Sequence, residues 1–206
     1  MNTLFYGRGT CALAALVAIE EAGIPFQLRR LDMKSTEQRS PEYLAINPKG
    51  RVPALATDRG ILTENPAILA YIAQIAPEKR LAPVDDPFEF ARLQSFSSYL
   101  CSTVHVAHAH RVRGYRWADE ESSLEDMRRR VPGNIADCFR LIENEMFAGP
   151  WVMGEQYTIA DAYLFTLANW MEGDGVDIRD FPVIHDHFNR MLERPAVKKA
   201  MAVESA

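Results

Sequence analysis

The sequence predicts a small α/β domain joined to a larger all-helical domain. Strand and helix patterns alternate through the first third of the chain, whereas beyond it the strand patterns fade and apolar residues recur at helical spacing. A segment rich in proline and charged residues separates the two regions. We therefore expect an α/β domain over residues 1–77, a linker over 78–87 and a helical domain over 88–206.

The first predicted elements are a strand, a helix and a second strand. Thr3–Tyr6 forms a short strand pattern that is closed by glycines, and the apolar residues from Cys11 to Ala22 follow the 3.6-residue period of an amphipathic helix. Gly23 stands where a helix-terminating glycine is expected. Phe26–Leu31 is a second strand pattern, and a strand-helix-strand order indicates that the two strands are parallel.

A hairpin and a further helix complete the first domain. Val52–Ala56 and Ile61–Thr63 are strand patterns on either side of the turn Thr57-Asp58-Arg59-Gly60. Asn65 can cap the helix that follows, with Pro66 in its first position.

The second domain contains only helical patterns. They cover Phe88–His110, Leu124–Phe147, Ile159–Trp170 and Val183–Glu193. The third of these begins with Thr158-Ile159-Ala160-Asp161, which has the form of a capping box with Asp161 in place of the more usual Glu.

The composition excludes several classes of protein. Of 206 residues, 48% are hydrophobic and 25% are charged, and the net charge of −5 argues against a general nucleic-acid binder. No apolar run approaches the roughly 18 residues of a membrane span, and the first residues lack the features of a signal peptide. Three cysteines without a CxxC pair fit a reducing compartment. We expect a cytoplasmic protein that binds neither nucleic acid nor a membrane.

Three short segments have the chemistry of a binding or catalytic site. Cys11 stands at a helix start, where backbone N–H groups and the helix dipole favour a thiolate, although most free cysteines are packed as small hydrophobic residues. The Val52-Pro53 bond can be cis and would then present the Val52 main chain outward. Glu64 and Asn65 form the turn into a helix N-terminus, which suits a ligand carboxylate.

The segment from His105 to His110 contains three histidines. His105 and His108 are three residues apart and share a helix face. No acidic or thiol ligand is obvious near them, so we predict no metal site.

Four stretches together resemble the glutathione S-transferase superfamily, and specifically its bacterial, beta-class-like branch. They are Leu4–Ala14, Asn47–Leu55, Leu62–Ile68 and Thr158–Leu164, which stand in the family's order and spacing. The resemblance implies a thioredoxin-like N-terminal domain, an all-α C-terminal domain, a homodimer and glutathione as co-substrate. The residues that it implies for the site are catalytic Cys11 and His105, and glutathione-binding Val52, Pro53, Glu64 and Asn65.

The implied function is transfer of the glutathione thiolate to small electrophiles in detoxification, with thiol-disulfide exchange through Cys11 as a second activity. The alternative is a non-catalytic ligand-binding or protein-interaction module of the same fold. Ala12, Asn65 and Ser98 depart from the family pattern inside the implied site, which is what a lost activity would look like. A glutathione-dependent dehalogenase, isomerase or ether-cleaving enzyme is a third reading, and the sequence does not name the electrophile.

Overall fold

The computed structural model describes residues 2–205 and divides the chain into two compact units. One unit contains the residues up to Ala91 together with those from Leu192 onward, and the other is Arg92–Met191. The first unit is therefore built from two separate stretches of sequence. In sequence, the units divide between residues 91 and 92 and between residues 191 and 192. The domain boundaries at residues 77 and 87 remain a prediction.

The first unit contains a four-stranded mixed sheet. Its strands in chain order are β1 (Asn2–Tyr6), β2 (Phe26–Arg30), β3 (Ala54–Thr57) and β4 (Gly60–Thr63). They lie side by side in the order β2-β1-β3-β4. The β1–β2 pair is parallel, as predicted, and the β1–β3 and β3–β4 pairs are antiparallel. The predicted hairpin is confirmed, although β3 begins only after Pro53 because a proline cannot donate to the strand ladder.

Helices pack around this sheet within the first unit. They are α1 (Ala12–Ala22), α2 (Pro41–Leu44), α3 (Asn65–Ile75) and α9 (Pro195–Ser205). Nearly all residues of α1 are buried, and those buried residues carry small or branched apolar side chains. The helix ends at Gly23, whose φ of 65° is the left-handed conformation that glycine adopts without steric cost. The sequence patterns did not predict α9, which packs against α1.

The second unit is helical, as predicted. Its helices are α4 (Pro87–Tyr99), α5 (His105–Arg113), α6 (Glu121–Leu141), α7 (Ile159–Ala168) and α8 (Pro182–Glu193), of which α4 begins and α8 ends in the first unit. The single helix predicted over 88–110 is interrupted by the π-helical turn Leu100–Val104, which hydrophobic periodicity does not reveal. Across residues 2–205, no helix has the length and apolar character needed to cross a membrane.

The predicted capping box at the start of α7 is confirmed. The backbone N–H of Ala160 donates to the Thr158 hydroxyl at 3.3 Å, and the backbone N–H of Thr158 donates to the Asp161 carboxylate at 2.7 Å. Asp161 is fully buried and also accepts hydrogen bonds from Val152 and His187. A buried carboxylate is tolerated here because the orphan N–H groups of the helix start and the His187 ring satisfy it.

Candidate functional site

Cys11 occupies the N-cap position of α1, immediately after a glycine-containing turn. Its side chain is partly exposed, and Sγ donates a hydrogen bond to the carbonyl oxygen of Val52 at a distance of 3.5 Å. The unpaired N–H groups and positive dipole end of a helix favour a thiolate at this position. The thiol therefore stands at the start of a helix and in contact with the loop that precedes β3.

The Val52-Pro53 peptide bond is cis. The preceding carbonyl, that of Arg51, accepts two hydrogen bonds of 2.7 Å each, from the Tyr43 hydroxyl and from the side-chain amide of Asn47. Burial raises the pKa of the Tyr43 hydroxyl, so this group remains a donor at neutral pH. Tyr43 and Asn47 thus hold the segment that carries Val52.

Asn65 lies at the start of α3, but the structure corrects its predicted role as the helix cap. Glu64 occupies the N-cap position, and Asn65 is the first residue of the helix. The Asn65 side chain instead donates from Nδ2 to the carbonyl oxygen of Cys11 at 2.6 Å. The amide turns away from the N–H groups of its own helix and uses the partly buried Cys11 carbonyl as its acceptor. Asn65 itself is 4% exposed, and its Oδ1 atom has no protein partner.

Glu64 is held in an unusual backbone conformation beside a lysine. Its φ of 72° is uncommon for a residue other than glycine and costs on the order of 1–3 kcal/mol. Its carboxylate accepts a hydrogen bond from Lys49 Nζ at 2.6 Å, and the same ammonium group contacts the Thr63 hydroxyl at 2.9 Å. Both charged side chains are about half exposed, so a ligand with an ammonium or a carboxylate group can reach them.

His105 lies in the second unit, as the first residue of α5. Its ring packs edge-on against Trp170, with 5.3 Å between the ring centroids. His108 packs edge-on against the same indole, also with 5.3 Å between the ring centroids. Trp170 therefore contacts both imidazole rings.

His108 is held by Asp174, a residue that the sequence did not single out. Asp174 accepts a hydrogen bond from His108 Nδ1 and lies 2.7 Å from Arg111 Nε. Asp174 and His108 are both buried, and His108 Nε2 has no protein partner. The two residues are 66 positions apart in sequence, so no local sequence motif predicts this pair. No cluster of three or more metal-ligating side chains occurs among residues 2–205.

Hydrogen bonds thus bring together three of the predicted site residues in the first unit: Cys11, Val52 and Asn65. Glu64 adjoins Asn65 in sequence, and Pro53 adjoins Val52. The arrangement offers a thiol, two helix N-termini and a Lys–Glu pair, which are suited to a ligand that carries a sulfur atom and charged ends. The ion pair between Lys49 and Glu64 was not predicted from the sequence.

Comparisons by sequence and by structure both match this chain to glutathione S-transferases. The family model described as "Glutathione S-transferase, N-terminal domain" matches residues 2–74, and the one described as "Glutathione S-transferase, C-terminal domain" matches residues 107–195. Glutathione S-transferase GstA of Escherichia coli O157:H7 is 31% identical over 204 residues, which is 98% of this chain and 98% of that protein.

Solved structures of such proteins resemble this fold closely. A glutathione transferase homologue from Sulfitobacter with bound glutathione is 46% identical and superposes with a TM-score of 0.95, covering 98% of both chains. A bacterial beta-class glutathione S-transferase from Sphingomonas chungbukensis is 31% identical, with a TM-score of 0.86 and 98% coverage of both chains. The predicted fold, a thioredoxin-like N-terminal domain with a helical C-terminal domain, is confirmed.

Proposed function

Because the chain belongs to the glutathione S-transferase family of enzymes, we propose that it transfers the glutathione thiolate to small electrophiles, with Cys11 beside the reacting sulfur. The observation that carries the proposal is the position of Cys11, which stands at the N-cap of α1 and contacts the Val52 carbonyl at 3.5 Å. Binding of glutathione in the related Sulfitobacter structure supports the choice of thiol.

We propose that glutathione lies along the first unit with its γ-glutamyl end at Glu64 and Asn65. The free γ-glutamyl end carries one ammonium and one carboxylate group. The start of α3 suits the carboxylate because helix N-termini favour anions, and Glu64 suits the ammonium group. Lys49 already neutralises Glu64, so the ammonium group competes with Lys49 for that carboxylate, and Lys49 is then available to a second anionic group.

In this proposal the cysteinyl part of glutathione pairs with the main chain of Val52, which precedes the cis bond to Pro53 and lies outside the β1–β3 ladder. In conjugation the glutathione thiol loses its proton, its sulfur forms a bond to the electrophilic carbon, and the leaving group departs with the electron pair. A hydrogen bond from the Cys11 thiol would stabilise the thiolate before attack. We assign His105 as the group that accepts the proton or donates to the sulfur.

Thiol-disulfide exchange is proposed as a second activity of the same thiol. The Cys11 thiolate attacks one sulfur of a glutathione-containing disulfide, the other thiol leaves as a thiolate, and a mixed disulfide remains on the enzyme. A glutathione thiolate then attacks that mixed disulfide, which regenerates Cys11 and forms a new disulfide. No second cysteine of the chain is needed. We also propose that the protein is a cytoplasmic homodimer with a role in detoxification. Size-exclusion chromatography with light scattering measures the molar mass in solution and so tests the dimer.

The proposal is tested by calorimetric titration of glutathione into the wild type and Cys11→Ala, together with turnover of a standard aromatic electrophile. Cys101→Ala is the matched control, since Cys101 is a partly exposed thiol of the second unit. Micromolar-to-millimolar binding, with turnover that falls only in Cys11→Ala, supports the proposal. Binding with no turnover in any variant favours the non-catalytic module. Absence of glutathione binding contradicts the transferase proposal and favours the protein-interaction module.

A further inference from the structure

Helix α9 runs antiparallel to α1, and polar contacts join it to both ends of α1. Near the start of α9, Arg194 makes a bidentate ion pair with Glu21. Its Nε lies 2.6 Å from one carboxylate oxygen, and a terminal guanidinium nitrogen lies 2.9 Å from the other. Glu21 lies in the last turn of α1. At the other end of α9, Glu204 contacts the loop that precedes α1. The helix therefore spans the full length of α1 and reaches the residues just before Cys11.

Three hydrogen bonds join the last turn of α9 to that loop. The backbone N–H of Gly9 donates to Oε2 of Glu204 at 2.6 Å. Arg8 donates from Nε to the carbonyl oxygen of Glu204 at 2.6 Å and from a terminal nitrogen to that of Ser205 at 3.1 Å. The last carbonyls of a helix lack partners within it, so the Arg8 guanidinium satisfies them and also complements the negative end of the dipole.

The loop has little else that fixes Gly9. Its φ is 65°, which glycine adopts without steric cost, and the space where a side chain would stand is open, with no atom within 4 Å, so no neighbouring group packs over this position. The next residue, Thr10, is bonded inside the loop, with its hydroxyl donating to Gly7 at 2.7 Å and accepting from the Ala12 N–H at 3.3 Å. Cys11 follows directly. The bond from Gly9 to Glu204 is thus a restraint on the turn that presents the thiol.

The Glu204 carboxylate is only partly satisfied by hydrogen bonds. Its second oxygen, Oε1, is buried and has no protein partner. Burial raises the pKa of Glu204, although the Gly9 N–H and the Arg8 charge oppose that effect. A buried carboxylate oxygen without a hydrogen bond destabilises a fold. We therefore look for a function of the Glu204 contact with Gly9 other than stability.

We propose that Glu204 is a positioning residue for Cys11, which acts by holding the Gly9 N–H and so fixing the turn that presents the thiol. The inference rests on the proposed function in so far as Cys11 serves the transfer reaction. It assigns α9 a part in the active site through the loop, without contact between Glu204 and the reacting atoms.

The test compares Glu204→Ala, which removes the acceptor, with Glu204→Gln, which keeps an oxygen for the Gly9 N–H. Glu193→Ala is the matched control because Glu193 is an exposed carboxylate of the same unit that pairs with Lys198. Two readouts need no glutathione: the alkylation rate of Cys11 by iodoacetamide, followed by peptide mass spectrometry, and amide exchange over residues 7–14. Conjugation kinetics are measured alongside.

We expect Glu204→Ala to exchange faster over residues 7–14, to alter the alkylation rate of Cys11 and to lose about tenfold in kcat with little change in KM for glutathione. Glu204→Gln should restore all three. Arg8→Ala, which removes the two other bonds, should shift them in the same direction. Wild-type behaviour of Glu204→Ala, or equal changes in Glu204→Ala and Glu193→Ala, would overturn the proposal. If the wild type shows no conjugation, the alkylation and exchange measurements still decide the positioning role, so failure of the two proposals is distinguishable.

Discussion

The side-chain amide of Asn65 donates a 2.6 Å hydrogen bond to the carbonyl oxygen of Cys11. The first residue of α3 thereby fixes the backbone at the start of α1, 54 positions earlier in the chain. The two helix N-termini of the proposed glutathione site are therefore coupled by one bond, and a change at either affects the other.

Asn65→Ala should weaken the protein and its activity together. The substitution removes the Asn65 donor from the partly buried Cys11 carbonyl, which still accepts from the Ala14 N–H at 3.2 Å, and we expect the free energy of unfolding to fall by about 1 kcal/mol. Loss of the bond also releases the Cys11 backbone, so kcat/KM for conjugation should fall about fivefold or more. Urea denaturation and steady-state kinetics measure the two effects. Gln74→Ala, which removes an exposed amide from the same helix, should change neither.

Glu64→Gln should weaken glutathione binding without destabilising the fold. The Lys49–Glu64 pair is half exposed, so its loss should change the free energy of unfolding by less than about 0.5 kcal/mol. Loss of the carboxylate that we assign to the γ-glutamyl ammonium group should raise the calorimetric Kd about tenfold. Glu37→Gln, at a comparable pair with Arg29, is the control. An unchanged Kd in Glu64→Gln would contradict the assignment.

Asp174→Asn should be among the most destabilising conservative changes in the second unit. Asp174 is 2% exposed at its side chain and accepts from both His108 and Arg111. Loss of the carboxylate charge leaves the buried His108 and the half-exposed Arg111 without their anionic partner, which we expect to lower the free energy of unfolding by about 3 kcal/mol. Asp126→Asn removes an exposed partner of Arg129 and should cost less than about 0.5 kcal/mol. Similar urea midpoints for the two variants would show that the network contributes little.

The cysteines should differ in their reactivity in the native protein. Burial raises the pKa of the Cys138 thiol, and Cys138 is 8% exposed. Cys11 is partly exposed at a helix N-terminus, so iodoacetamide at about pH 7.5 should modify it well before Cys138. Peptide mass spectrometry against time gives the order, and the difference should vanish in urea. Equal native rates would mean that Cys11 has no special reactivity.

Glu204 should make the stability depend on pH in the direction opposite to that of most carboxylates. Burial raises its pKa above the ordinary value of 4.5, so folding favours the protonated form. The associated stabilisation is complete below that value and is lost as the pH rises through the higher, folded-state pKa. Relative to the wild type, Glu204→Gln should therefore gain free energy of unfolding between about pH 4 and pH 7.

Glu193 provides the control of opposite sign. Lys198 lowers the pKa of Glu193 by a hydrogen bond, so its stabilisation is present above the ordinary value and is lost as the pH falls. Glu193→Gln should accordingly lose stability relative to the wild type at neutral pH, though weakly because the pair is exposed. Parallel pH profiles for Glu204→Gln and Glu193→Gln would contradict the burial argument.

Local patterns sufficed for the elements whose causes are local. The parallel β1–β2 pair, the β3–β4 hairpin and the Thr158–Asp161 capping box all follow from short-range spacing and turn chemistry. Helix α9 was missed because its apolar positions are few and small, and its stability comes from packing on α1. The role of Asn65 was misjudged for a related reason, since its partner lies far away in sequence.

The assignment of α9 to the first unit affects how the protein is made. The Arg194–Glu21 pair joins residues that are 173 positions apart. At a translation rate of about 5–20 residues per second, the surface of α1 that α9 covers waits roughly 10–35 s before its partner has been synthesised. During that interval the apolar surface of α1 is open to chaperones and to other nascent chains. Substitutions in α9 should therefore reduce the yield of soluble protein in cells more than its stability measured after purification.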